Sequence, residues 1–165
     1  MVLGSAGAYR TRVWRSGWYK LSPATSPSPR NDPNSTYDPT TGTVVLFGGT
    51  DANGNILNDT WTWDAVTWTQ QFPPVSPPAR ARPGMAYDAA TKTVVLFGGS
   101  ANIPLGDTWA WNGLTRTWTQ LFPATSPSPR QAQVAYDSLS GTIVLFGGDG
   151  NGGFLNDTWT WNGVT

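Results

Sequence analysis

Three apolar runs recur along the chain at a nearly constant interval: Val44-Val45-Leu46-Phe47, Val94-Val95-Leu96-Phe97 and Ile143-Val144-Leu145-Phe146, each closed by a Gly-Gly pair. A Tyr-Asp pair precedes each run, at Tyr37-Asp38, Tyr87-Asp88 and Tyr136-Asp137. An alternating segment follows each: Asp59-Thr60-Trp61-Thr62-Trp63, Asp107-Thr108-Trp109-Ala110-Trp111 and Asp157-Thr158-Trp159-Thr160-Trp161. Trp18, Trp68 and Trp118 mark a fourth station, 50 residues apart. No stretch carries a helical period, so the pattern predicts four short strands per repeat and an all-β chain. The first strand ends at Tyr37, where Asp38-Pro39-Thr40-Thr41-Gly42 supplies turn chemistry. The second, Thr43 to Phe47, is continuously apolar and is expected to be buried on both faces. Alternation in the third puts two indoles on one face of the sheet and two small side chains on the other. The fourth begins near Trp68 and stops at Pro73-Pro74, since proline cannot continue a hydrogen-bonded ladder.

Cut at the fourth station, the chain divides into a leader, 1–17, and repeats 18–67, 68–117 and 118–165. A four-stranded sheet with a tryptophan-rich face cannot cover that face alone and must stack on the next copy. A buried indole hides about 150–250 Å², worth roughly 4–6 kcal/mol as an upper estimate, which makes the ten tryptophans the material between stacked sheets. Radial stacking of such sheets is a β-propeller. Four apolar residues before Gly-Gly, then a spaced aromatic and a Trp at a period near 50, resemble kelch repeats, with Trp-x-Trp where many kelch units carry Tyr. The resemblance implies three four-stranded blades per chain. Propellers close with roughly four to eight blades. The expected assembly is therefore a homodimer, a six-bladed ring of two-fold symmetry in which each chain's Trp18 to Leu21 strand completes the other's last blade. A piece of a longer propeller and a nine-bladed trimer are the alternatives. Met1 to Thr11, rich in small residues, is expected to be mobile, with Val13, Trp14 and Trp18 anchoring the exchanged strand.

Charge and composition narrow the chemistry. Ten basic residues balance ten acidic ones, which argues against a nucleic-acid partner. No apolar run approaches the roughly 20 residues that span a bilayer, and the first residues lack the basic and apolar regions of a signal peptide. Cysteine is absent, which fits either redox compartment. Histidine is also absent and every acid is an aspartate, so imidazole bases, thiol nucleophiles and zinc sites are excluded. Kelch-like propellers include a copper radical oxidase and iron-using plant specifier proteins, but their His and Cys ligands have no counterpart here; no cofactor and no metal is expected. Asp51-Ala52-Asn53-Gly54-Asn55 and Asp149-Gly150-Asn151-Gly152-Gly153 have the oxygens of a calcium loop without its terminal glutamate, and read as tight turns.

Candidate binding residues lie in the linkers that lead from each fourth strand to the next first strand: Arg30, Arg80 with Arg82, and Arg130, with Asn31, Gln131 and Gln133 beside them. In an up-and-down blade these linkers share a face with the loops after Gly-Gly, residues 50–57, 100–106 and 149–155, and loops on a rigid scaffold are where binding resides. The resemblance implies arginines near the central channel that hold acidic peptides, and a guanidinium fork also suits a small anion. In a ring of two chains, Arg30, Arg80 and Arg130 would gather six guanidinium groups at one mouth with few acids nearby except Asp32. The alternative role is structural, each arginine bonding blade carbonyls or covering an indole. The expected function is a non-catalytic binding or interaction scaffold. A repeat assembly without a ligand, engineered or recently duplicated as the identical octapeptides 23–30 and 123–130 suggest, comes second; a carbohydrate-active enzyme comes third.

Overall fold

A computed structural model describes residues 17–163. Its regular elements are all strands. Residues 30–71 supply β1 (Arg30–Asn31), β2 (Asn34–Asp38), β3 (Thr43–Phe47), β4 (Thr50–Asp51), β5 (Thr60–Trp63) and β6 (Trp68–Gln71), the last taken from the start of the second repeat. Strands β2-β3-β5-β6 form an antiparallel sheet in that order, blade I, while β1 and β4 pair beside it. Blade II consists of β7 (Gly84–Asp88), β8 (Thr93–Phe97), β9 (Thr108–Asn112) and β10 (Thr117–Leu121), again in simple up-and-down order. Blade III contains β11 (Arg130–Gln131), β12 (Val134–Asp137), β13 (Thr142–Gly150) and β14 (Gly153–Trp161). Here β12-β13-β14 form the sheet and β11 pairs with the far end of β13. Among the described residues no fourth strand lies outside β14. Trp18 to Leu21 belongs to no sheet, and Trp18 is fully exposed. The expectations for Met1 to Thr11, Val13 and Trp14 fall outside the described residues.

Register ties each apolar run to its tryptophans. Val44 and Leu46 face Trp63 and Trp61 across the ladder; Val94 and Leu96 face Trp111 and Trp109; Ile143 and Leu145 face Trp161 and Trp159. Such cross-strand aromatic pairs are the unit of sheet stabilisation. The tryptophan faces of blades II and III each pack on the back of the preceding blade. Val45 and Phe47 of blade I join Met85, Val94, Leu96, Trp109, Trp111 and Trp118 of blade II in one buried cluster. Val95 and Phe97, on the back of blade II, pack in turn with Ile143, Leu145 and the half-buried indoles of blade III.

Burial on both faces of the second strand holds only for blade II, a correction with a simple cause. Phe47 is 0% exposed and Phe97 7%, each covered by the next blade, whereas Phe146 at the same station is 65% exposed because nothing in the described chain covers the back of blade III. The inner strands β2, β7 and β12 lie side by side, close enough that a Cβ on Gly84 would come within 2.9 Å of the Ala132 carbonyl and Val134 Cγ1. The Tyr-Asp stations form the expected turns. The Asp38, Asp88 and Asp137 carboxylates accept from the amides of Thr40, Ala90 and Leu139 at 2.9–3.0 Å.

Candidate functional site

The linkers cross from blade to blade at the Gly-Gly pairs. Gly98 and Gly99 have φ of +62° and +92°, a region that costs L-residues, and a Cβ on Gly98 would collide with the Arg130 carbonyl. That close approach lets Gly99 N–H donate to the Arg130 carbonyl at 2.9 Å, while Arg130 N–H donates to the Leu105 carbonyl at 2.9 Å. Gly49, Arg80 and Leu57 repeat the arrangement one blade earlier, at 2.9 and 3.0 Å. Through their backbones Arg80 and Arg130 are therefore fastened to the preceding blade.

The side chain of each linker arginine fastens it to the following blade. Arg80 Nη1 and Nη2 donate to Asp107 Oδ1 and Oδ2 at 2.6 and 2.7 Å, Nη1 also to the Gly98 carbonyl at 2.9 Å, and Nε to the Pro78 carbonyl at 3.0 Å. Arg30 grips Asp59 at 2.7 and 2.9 Å and the Gly48 carbonyl at 3.0 Å. Arg130 grips both oxygens of Asp157 and the Gly147 carbonyl. The same three aspartates accept the indole N–H of Trp61, Trp109 and Trp159 at 2.6–2.7 Å. Arg80 and Arg130 are fully buried. Burial alone would raise the Asp59 and Asp107 pKa values, but donation from Arg30 or Arg80 and from the indole outweighs it and leaves both lowered. Hydrogen bonds from Arg130 and Trp159 hold the Asp157 carboxyl well below the usual carboxylate range.

The expectation of few acids beside Arg30, Arg80 and Arg130 is thus corrected. Each guanidinium is neutralised by its own aspartate, and the three are clamps that join an indole, a glycine carbonyl and the linker. An arginine buried under a linker needs such a partner, because an unpaired charge there is strongly unfavourable. The signal was present as an Arg and an Asp recurring 29, 27 and 27 residues apart.

The other candidates lie on the surface of the same face. Arg82 and Asp32 share the left-handed backbone region, at φ +52° and +53°, and form an exposed ion pair of 3.0 Å. Arg82 Nη1 donates to Gln131 Oε1 at 3.2 Å. Asn34, not among the binding residues expected from sequence, donates to the Pro83 carbonyl at 2.6 Å and to Gln133 Oε1 at 3.3 Å. Side chains from all three blades are thereby linked, with Asn31 exposed at the rim. The loops after Gly-Gly share this face because they pair with the linkers: Asn31 with Thr50, Ala81 with Ser100, Gln131 with Asp149. Their conformations differ. Residues 50–57 fold into a turn in which Asp51 Oδ1 accepts from the Asn53 and Asn55 amides at 2.8 Å, whereas β13 and β14 extend past Gly147 into a hairpin. Ile103 and Phe154 stand exposed on these loops.

Up-and-down sheets stacked face to back, with the linkers between them clamped to both neighbours, define a propeller-type repeat protein. A family model described as the KLHDC2/KLHL20/DRC7 Kelch-repeats domain matches residues 7–165, and the chain belongs to the kelch-repeat family. Kelch domains generally act as protein-interaction scaffolds rather than as enzymes. Comparison with curated proteins found no match.

Proposed function

We propose that this chain is a non-catalytic interaction scaffold that presents one loop face, residues 50–57, 100–106 and 149–155 with the adjoining linkers, to a protein partner. One observation carries this: the clamps beneath the face repeat from blade to blade, while the groups displayed on it differ in every blade and include the exposed Ile103 and Phe154. A rigid base with variable, partly apolar loops is the arrangement that binding surfaces use. An acidic peptide or small anion on this face would meet Arg82, Asn31, Gln131 and Gln133 rather than the clamped arginines. The ring of two chains belongs to the same proposal. The back of blade III is uncovered and the tryptophan face of blade I is only half-buried, and they are the same kinds of surface that bury one another between blades I and II.

Selection from a displayed peptide library, followed by calorimetry of the selected peptide, tests the scaffold. Ile103→Ser/Phe154→Ser and Arg82→Ala should each weaken binding at least tenfold with the fold intact by circular dichroism. Sulfate and a short acidic peptide test the anion site separately. Selected peptides whose binding none of these variants alters would refute the assignment of this face. Native mass tests the ring, which requires twice 17.7 kDa.

A further inference from the structure

The junction between blades I and II contains an indole that the next junction lacks. Trp118, near the start of β10, is 4% exposed. Its ring meets Phe47 edge-on at 5.4 Å and 72°, lies 5.3 Å from Trp111, and its Nε1 donates to Thr60 Oγ1 at 2.9 Å. Phe47 and Thr60 belong to the back of blade I and Trp111 to the face of blade II, so the socket forms where two blades meet. One blade further on, the same stations are Phe97, Thr108 and Trp161. Together with Val95 and Ile143 they line a cavity of about 90 Å³, with the linker at Pro123 along one side. No strand beyond β14 supplies an indole among the described residues.

We propose that this cavity receives the Trp18 indole of a second copy of the chain, whose Trp18 to Leu21 segment adds to the outer edge of β14. The inference rests on the ring of two chains and specifies how it is closed. Trp18 precedes Trp68 by the same 50 residues that separate Trp68 from Trp118, and it is fully exposed in a single chain. Leu21 and Leu121 occupy one station, and both segments run into the same octapeptide, 23–30 and 123–130. The occupant therefore has the side chain and the spacing of the strand already seated one junction earlier. Its register follows from β10, where Trp118 faces Trp111 and Leu121 faces Thr108. Trp18 is set opposite Trp161 and Leu21 opposite Thr158, with the Trp18 indole donating to Thr108 Oγ1.

The remaining faces agree with a second copy as the occupant. On the back of blade III, Phe146 and Thr158 stand exposed at the stations of Phe47 and Thr60. On the face of blade I, Trp68 packs on its own Trp63, at 5.6 Å, and borders an open groove of about 520 Å³ lined by Val44 and Leu46 and, in a single chain, by Tyr19 and Leu21 of the segment to be exchanged. Closing the ring sets Trp68 of one copy onto Phe146 of the other, in the geometry of Trp118 on Phe47. Arg30, whose backbone takes no interblade bond among the described residues, then reaches Gly148 and Leu155 of the second copy as Arg80 reaches Gly49 and Leu57.

The test has two arms. In the first, native mass and dilution measure dimerisation of the full chain, of Trp18→Ala and of Thr108→Val. Wild type is expected at twice 17.7 kDa. Trp18→Ala, which removes a side chain that a single chain leaves in water, should raise the dimer dissociation constant at least 100-fold. Thr108→Val should raise it about tenfold in the wild-type background and not at all in Trp18→Ala. In the second arm, a synthetic peptide of residues 17–27 is titrated into the Trp18→Ala chain, where it should bind saturably and lose binding when the peptide carries the same substitution. A wild-type dimer that Trp18→Ala leaves intact, with no peptide binding, overturns the exchanged strand while the ring stands. A wild-type monomer at 17.7 kDa overturns the ring; saturable peptide binding would then retain the socket, and absence of binding would remove it as well.

Discussion

Replacing Asp107 by alanine isolates the clamp between blades. In the native chain the fully buried Arg80 guanidinium is balanced by both oxygens of Asp107, with the Gly98 and Pro78 carbonyls completing its shell. The substitution leaves those carbonyls and no counter-charge, and it deprives the Trp109 indole of its acceptor. Breaking a buried ion pair by removing one partner costs about 3–5 kcal/mol. The Asp107 side chain is 21% exposed, so water offsets part of this and about 3 kcal/mol is expected. For a domain of this size that lowers the melting temperature by roughly 6–12 °C. The chain contains its own control in Arg82 and Asp32, whose side chains are 57% and 36% exposed. Loss of that pair should cost under about 1 kcal/mol. Urea and thermal unfolding followed by tryptophan fluorescence, at one protein concentration because any dimer shifts apparent stability, gives both values. Arg80→Met/Asp107→Leu, which removes both charges and keeps the volume apolar, should regain most of the loss. Were Asp107→Ala to cost no more than Asp32→Ala, the clamps would not hold the blades and the reasoning would fail.

Three further outcomes follow from the same contacts. The Asp59, Asp107 and Asp157 pKa values are lowered from 3.8 in the folded chain, so their contribution is fully present above about pH 5 and is lost as pH falls below 3.8 through the native values. With no histidine to titrate, melting temperature should be flat from about pH 5 to 8 and fall steeply below 4; a plateau extending unchanged to pH 2.5 would contradict the assignment. Gly98→Ala forces a side chain into a positive-φ position facing the Arg130 carbonyl and should destabilise by about 1–3 kcal/mol, whereas Gly54→Ala, also at positive φ but in open space, should cost less. Thr60→Val removes the acceptor of the buried Trp118 indole and should cost about 1–3 kcal/mol in equilibrium unfolding, against under about 0.5 for Thr69→Val on the exposed side of β6.

Much of the architecture is written in the period. The apolar run before Gly-Gly, the Trp-x-Trp alternation and the Tyr-Asp turn each depend on neighbours a few residues away, so local chemistry places a strand, a face and a bend in every repeat. The Gly-Gly pair was legible as a recurring station, but its purpose was not: it admits the carbonyl of a linker arginine about 32 residues further on, a contact with no local cause. From sequence, Arg30, Arg80 and Arg130 stand where each linker enters an inner strand, which suits channel-mouth cations as well as residues that bond blade carbonyls, and nothing local decides between the two. Tertiary structure instead folds each linker over the third strand of its own repeat, bringing an aspartate 27 or 29 residues away into the plane of the guanidinium. Burial was decided the same way. Phe47, Phe97 and Phe146 occupy one station in three nearly identical sequences, yet only the first two are covered, because burial belongs to the pair of blades that meet and no strand can supply it alone.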